Sequence, residues 1–300
     1  MAQAPAVPKL LRARHLIQAH ISKNTQSSHG LVPSEKAALE LRAINPLQQT
    51  ARQVTFLIPM VGAAQVGDWQ AVSDRLTTTL KGFLRQENPN WQAIVCGQDK
   101  PDLPTDSRIA FVPFTDTTPG NDKWRKLRVL YDTLHQRVSK PGYVMSFDAD
   151  DLLHPAAVSE MLTRQKPGGY LVQSGLVMDV SGGDIALADT RSITAPMRKP
   201  FWKLCGSCAA LYHDPVEPAS TAFLAEMTQH EHRMFPYLAA LAGQSLHPLT
   251  FPSVLYMLNH GENFGARRGR VNFKTRFVQR YKITEATRLS EIRRDFGLAT

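Results

Sequence analysis

Short apolar runs recur through the middle of the chain, with charged stretches of helical spacing between them. VTFLIP (54–59), WQAIVC (91–96), RIAFVPF (108–114) and YVMSF (143–147) are compact and rich in β-branched or aromatic residues, which predicts buried strands. Gln70 to Arg85 and Asp122 to Val138 predict helices, and Asn88-Pro89-Asn90 marks a turn. This alternation is the signature of βαβ units and a mostly parallel sheet. Beyond Pro155 the pattern predicts a helix to about Arg164, a strand over YLVQSGLVMDV, a turn at Gly182-Gly183 and IALA as a hairpin partner. FWKLCGSCAALYH, aromatic and rich in small residues, reads as a loop over a site. A helix from about Glu231 to Ala242 is closed by Gly243, and SVLYML is a strand leading into Asn259-His260-Gly261-Glu262-Asn263. Ahead of all this, residues 1–52 predict two helices, Lys9 to Ile21 and a second one capped by Ser34 and running to Ile44.

The chain has 300 residues, 43% of them hydrophobic, enough for a proper core in a soluble enzyme. Its apolar runs are well short of the roughly 18 residues that cross a bilayer. The basic start (Lys9, Arg12, Arg14) is not followed by an apolar block with a cleavage site, and three cysteines suit a reducing compartment, so the expected location is cytoplasmic. The formal charge of +9 is unevenly placed. Residues 1–52 hold seven Lys/Arg and two Glu, a net of +5, residues 263–300 hold ten against three acids, a net of +7, and the middle is −3. The basic ends suit an anionic membrane surface, an acidic polymer or nucleic acid, and equally suit solvated helix faces.

The segment YVMSFDADDLLHP changes the picture from fold to chemistry. Asp148, Asp150 and Asp151 follow directly on an apolar strand, where ligands bind in open α/β sheets. Three carboxylates within four residues repel one another, so a cation belongs among them, and a hard divalent ion holding a substrate diphosphate fits.

From Val54 to Asn263 the order of motifs resembles the nucleotide-sugar glycosyltransferases of the GT-A fold, specifically the inverting family two. VTFLIP is similar to the strand that opens the nucleotide pocket, LKGFLRQENPNWQAIVCGQD to the helix, turn and strand after it, and DADD to the Asp-X-Asp signature. HEHRMFPYLAALAGQSLHPLTFPSVLYMLNHGEN resembles the segment with the catalytic Glu-Asp pair and a late metal-binding histidine. The resemblance implies an α/β fold: a GT-A-like, mostly parallel twisted sheet flanked by helices. It implies a single catalytic domain over 53–262, a helical basic extension over 1–52 and a basic tail over 263–300. The activity implied is metal-dependent hexosyl transfer, with inversion, from a nucleotide-diphosphate sugar, UDP-sugar first, to a glycan or lipid-linked hydroxyl in polysaccharide synthesis.

The site residues follow from the same resemblance. Asp150 would bind Mn2+ (or Mg2+) directly, Asp148 would contact the ribose or the ion through water, and His260 would be the third ligand. Pro59, Asp99, Asp148 and Ala149 would line the donor, with Asp99 near the base. Of the four bases in Lys123, Arg125, Lys126 and Arg128, neighbours on a helix point different ways, and Lys126 and Arg128 are expected on the diphosphate. The family's acid pair departs here to Glu231-His232, so either can be the base that deprotonates the acceptor.

Other classes fit less well. A haloacid-dehalogenase-type phosphatase also has Asp-X-Asp after a strand, but wants it near the domain start and a Thr or Val where Asp151-Leu152 stand. A non-enzymatic nucleic-acid-binding protein would interleave aromatics with its bases, and the basic ends here are poor in aromatics, so no nucleic acid is expected. A sugar-nucleotide pyrophosphorylase needs a glycine-rich phosphate loop that Pro59 to Gly67 does not resemble. Cys205-Gly206-Ser207-Cys208 lacks the second ligand pair of a zinc site and reads as a tight loop lining the acceptor pocket, with Phe201 and Trp202 before it.

Overall fold

The computed structural model describes residues 3–21, 30–45, 48–261 and 271–298. Its central strand, β1 (Gln53–Pro59), is buried on both faces, as a parallel strand covered by helices must be. β2 (Trp91–Gly97) and β4 (Gly142–Ser146) flank it in parallel, and β3 (Ile109–Pro113) extends the sheet beyond β2. On the other side β9 (Ala209–His213) runs antiparallel to β4, followed by β6 (Gly169–Leu171) and β10 (His247–Pro248), giving the order β10-β6-β9-β4-β1-β2-β3. The fold is thus the α/β, mostly parallel sheet flanked by helices that the sequence implies. The chain moves outward from β1 to β3 and then returns to the opposite side of β1, so a topological switch point opens between β1 and β4.

α3 (Trp69–Leu84), capped by Asp68 through the amide of Ala71 at 2.9 Å, covers β1. Phe83 of α3 stacks on Phe56 of β1 with 4.3 Å between ring centroids and meets Phe147 edge-on at 5.2 Å. This buried trio fixes the residue immediately before Asp148, so core packing sets where the acidic loop starts.

A second sheet, ordered β5 (Leu152–Leu153), β11 (Val254–Leu258), β7 (Gly175–Asp179) and β8 (Asp184–Ala188), stands beside the first. Leu255 of β11 pairs with Leu152 of β5 antiparallel, which brings the turn after β11 back over the residues before β5. Those are His260 and Asp150.

α1 (Lys9–Ile21) and α2 (Pro33–Ile44) pack on α7 (Pro218–Met227) and α8 (Phe235–Leu241). α9 (Val271–Tyr281) lies on the second sheet, and α10 (Ala286–Phe296) closes that sheet's own small core through Ile292 and Phe296. The basic ends of the chain are therefore packed against its middle. Glu262 and Asn263, and the boundary drawn between them, lie outside the described residues. Among the described residues no helix is long and apolar enough to cross a membrane.

Several local expectations are corrected. YLVQSGLVMDV is two strands in different sheets, parted at Gly175, which packs on the Phe201 ring with no room for a Cβ. AALYH is not a loop but β9, in the main sheet. The helix expected over Asp122 to Val138 breaks at Thr133 into α4 (Lys123–Asp132) and α5 (Leu134–Arg137). Ser34 does not cap α2. Val32 is the cap residue, its amide donating to Glu35 at 3.1 Å, while the Ser34 hydroxyl lies 2.7 Å from His230 Nε2.

Candidate active site

β4 ends at Ser146, and the acidic loop emerges at the switch point. It faces a cavity of about 750 Å³ whose walls include Pro59 at the end of β1, Lys123 and Lys126 of α4, Arg75 of α3 and His260. Asp148, Ala149 and Asp150 all line it.

Each cation in the wall has a defined partner. Lys123 Nζ lies 2.5 Å from Asp148 Oδ1. Burial alone would raise the Asp148 carboxyl, but the Lys123 ammonium outweighs it and holds the group below the usual carboxylate range. Lys126 is buried and paired with Asp122 at 2.9 Å, and burial pulls its ammonium down despite that partner. His260 Nε2 lies 2.7 Å from Asp150 Oδ2. Asn259 (φ 57°) and Gly261 (φ 93°) on either side of it are both left-handed, which turns the chain sharply at this point. Arg75 differs from the other cations in meeting no carboxylate among the described residues. Its Nη2 donates to the His260 carbonyl at 2.6 Å, and its enclosed Nη1 has no hydrogen-bond partner.

Beneath this layer lies a second one. Asp151 is fully buried and accepts from the Ser207 hydroxyl at 2.6 Å and the Cys205 thiol at 3.0 Å. Ser207 Oγ in turn accepts the Asp148 amide at 2.8 Å. Burial, then the Asp150 and Asp148 charges, push the Asp151 carboxyl well above its ordinary range. The turn Cys205-Gly206-Ser207 is thus the floor under the acidic loop, and at Gly206 an added Cβ would stand 3.3 Å from Asp148 Oδ2.

Among the described residues one grouping brings three ligand atoms together. One oxygen each of Asp148 and Asp151 and the Cys205 sulfur lie within 4.8 Å of one another. Burial and the neighbouring carboxylates push the Cys205 thiol well up, so an ion binding there would have to displace its proton. Asp148, Asp150 and His260 line the cavity and are donor types that Mn2+ or Mg2+ accepts, but their ligand atoms do not form such a grouping as they stand.

The remaining expected residues are placed as follows. Asp99 accepts the Ala63 amide at 2.7 Å and fastens the loop after β1 rather than lining the cavity. Arg128 points away, pairing with Glu226 at 2.9 Å and Asp132 at 3.1 Å, so the base of α4 that meets the acidic loop is Lys123. His232 opens a short 3-10 turn ahead of α8 and is close enough to Lys123 and Asp148 to feel both charges. Burial, with Arg233 and Lys123, lowers its imidazole to about 3, and its Nε2 is enclosed without a partner. Glu231 is one-third exposed, with Arg233 Nε 3.8 Å away. Arg75 and Ser207 carried no sequence signal beyond their types. Only the contact of α3 with the His260 turn, and of the Cys-Gly-Ser turn with the acidic loop, reveals them.

A scan against protein-family models and a search of curated proteins found no match. Solved structures with some likeness include a 4-diphosphocytidyl-2C-methyl-D-erythritol synthase, 15% identical, with 74% of this chain and 99% of that chain covered and a TM-score of 0.35. The mannosyltransferase PcManGT from Pyrobaculum calidifontis, in complex with GDP-Man and Mn2+, is 14% identical over 87% of this chain and 71% of that one, with a TM-score of 0.37. The glycosyltransferase GlyE in Streptococcus pneumoniae TIGR4 is 14% identical over 77% of this chain and 51% of that one, with a TM-score of 0.31. At scores this low, no residue's role is carried over from them.

Proposed function

We propose that this protein is a metal-dependent glycosyltransferase that moves a sugar, with inversion, from a uridine diphosphate donor to a hydroxyl of a glycan or lipid-linked acceptor. The observation that supports it is the convergence of Asp148, Asp150, His260, Lys123 and Arg75 on one cavity at the switch point between β1 and β4.

In this reading Asp148, Asp150 and His260 hold Mn2+ or Mg2+, which supplies charge stabilisation for the leaving diphosphate. Arg75 and Lys123 give the diphosphate further positive partners, and their positions are fixed before substrate arrives, so little reorganisation is needed. The nucleoside end lies toward Gln65 and Asp122, which are shared with an adjoining cavity of about 190 Å³. Glu231 is the acceptor's base. With an imidazole lowered to about 3, His232 is a poor proton acceptor near neutrality and acts as a neutral hydrogen-bonding wall.

A thermal-shift panel of nucleoside diphosphate sugars, with and without Mn2+, tests the reading. A specific ligand at 100 times its Kd adds about 2.7 kcal/mol of stability. A metal-dependent shift with one donor is expected, and no shift with any donor contradicts the proposal.

A further inference from the structure

α1 turns only part of its apolar surface inward. Ala19 is buried and Leu16 packs on the core beside a polar cluster: His15 is buried with Nδ1 3.0 Å from Glu35 Oε1 and 3.3 Å from the Tyr237 hydroxyl, and the Arg12 guanidinium stands 5.8 Å from the Tyr237 ring centroid. Its outward face carries aliphatics, with Leu10 87%, Ile17 59% and Ile21 80% exposed. Leu10, Arg14, Ile17 and Ile21 follow the i, i+4, i+7, i+11 spacing that lines one side of a helix. A surface helix ordinarily turns such a stripe toward the core. Here the core side is already filled by Leu16, Ala19 and the His15–Glu35–Tyr237 cluster, and among the described residues nothing covers the outer stripe.

Charge identifies the occupant. The chain has no Asp or Glu before Glu35, and Lys9 and Arg14 flank or interrupt the stripe. Exposed aliphatics in a basic helix without acids match an interfacial helix on anionic lipid, with apolar side chains at the acyl boundary and ammonium and guanidinium groups among the headgroups. A second copy meeting the same face would bring Lys9 and Arg14 against their own like charges across a two-fold axis. An acidic glycan would satisfy the cations but leave the aliphatics in water.

We propose that the outer face of α1 docks this protein on the surface of an anionic lipid bilayer. The proposal goes beyond the transferase reading and stands or falls separately from it. Since α1 packs on α8, which directly follows Glu231 and His232, docking would hold the acceptor side of the site near the membrane.

Flotation of the purified full chain with phosphatidylcholine vesicles, with and without phosphatidylglycerol, tests it without any sugar donor. Binding to the anionic vesicles alone, weakened by salt, is expected. The Leu10→Ser/Ile17→Ser/Ile21→Ser variant should lose roughly tenfold or more of that binding with unchanged thermal unfolding, because the substituted side chains are already in solvent. A Lys9→Glu/Arg14→Glu variant should lose it too. No binding to either vesicle, equal binding to both, undiminished binding by the triple-serine variant, or a dimer that this variant dissolves would each overturn the proposal.

Discussion

Arg75 Nη2 donates to the backbone carbonyl of His260 at 2.6 Å, tying the third helix to the turn after the last strand of the second sheet. The same guanidinium lines the cavity with an enclosed Nη1 that has no hydrogen-bond partner among the described residues. Lys123 and Lys126 are each neutralised by an aspartate, so Arg75 has the greater capacity for a ligand anion. Hydrogen bonds to charged groups are worth about 1.5–3 kcal/mol. Arg75→Gln is expected to weaken nucleoside diphosphate binding by roughly tenfold to a hundredfold while leaving nucleoside binding nearly unchanged, read by titration calorimetry. Equal weakening of both would make Arg75 a support of the turn only.

Ser207 joins the two acidic layers, donating to Asp151 at 2.6 Å and accepting the Asp148 amide at 2.8 Å. Ser207→Ala leaves the part-buried Asp148 amide without its acceptor and the buried Asp151 with the Cys205 thiol alone. A loss of about 2 kcal/mol in unfolding free energy is expected, together with a fall in turnover. Denaturant unfolding and steady-state kinetics on the same preparation check it, and unchanged stability would remove Ser207 from the floor of the site.

The transfer step separates Glu231 from His232. Glu231→Gln keeps the shape and removes the basicity, so turnover should fall by a factor on the order of 100 or more with donor binding intact. His232→Asn should retain the acidic limb of the pH–rate profile. If the limb disappears in His232→Asn and persists in Glu231→Gln, the histidine is the base.

His213 makes a pH-dependent contribution away from the site. It is buried with Nε2 2.8 Å from the Thr221 hydroxyl, and burial lowers its pKa from 6.5 to about 4, against the opposing pull of Asp214. As pH falls below 6.5 the unfolded chain takes up this proton while the folded one refuses it until about 4. Stability from this group is therefore complete above 6.5 and declines through that window, by about 3 kcal/mol at its acid end. His213→Gln should flatten that part of the stability–pH curve in denaturant titrations.

The sheet was legible because β1, β2 and β4 are buried on both faces and read as continuous apolar runs between helical spacings. The acidic loop was legible because charges that follow such a run directly have few structural uses. β9 was not, because its small residues and cysteine-flanked start look like loop chemistry until pairing with β4 and β6 explains them. Spacing on a helix tells which residues share a face but not which face meets the site, so the sequence points to Lys126 and Arg128 where the structure puts Lys123 against the acidic loop. Asp99 lies in the bend beyond the end of β2 at Gly97, and its carboxylate serves a backbone amide, a use that residue type alone does not distinguish from base recognition.

Asp150 carries the central claim, since its carboxylate and the His260 imidazole meet at 2.7 Å on the cavity wall two residues before the second sheet begins. The most direct measurement is titration calorimetry of the donor sugar nucleotide against wild type and Asp150→Ala, each with Mn2+ and with a chelator. Binding that requires Mn2+ in the wild type, and is absent or metal-independent and weak in a folded Asp150→Ala, is the expected result. Equal, chelator-insensitive binding by both proteins would contradict the metal-dependent transferase reading.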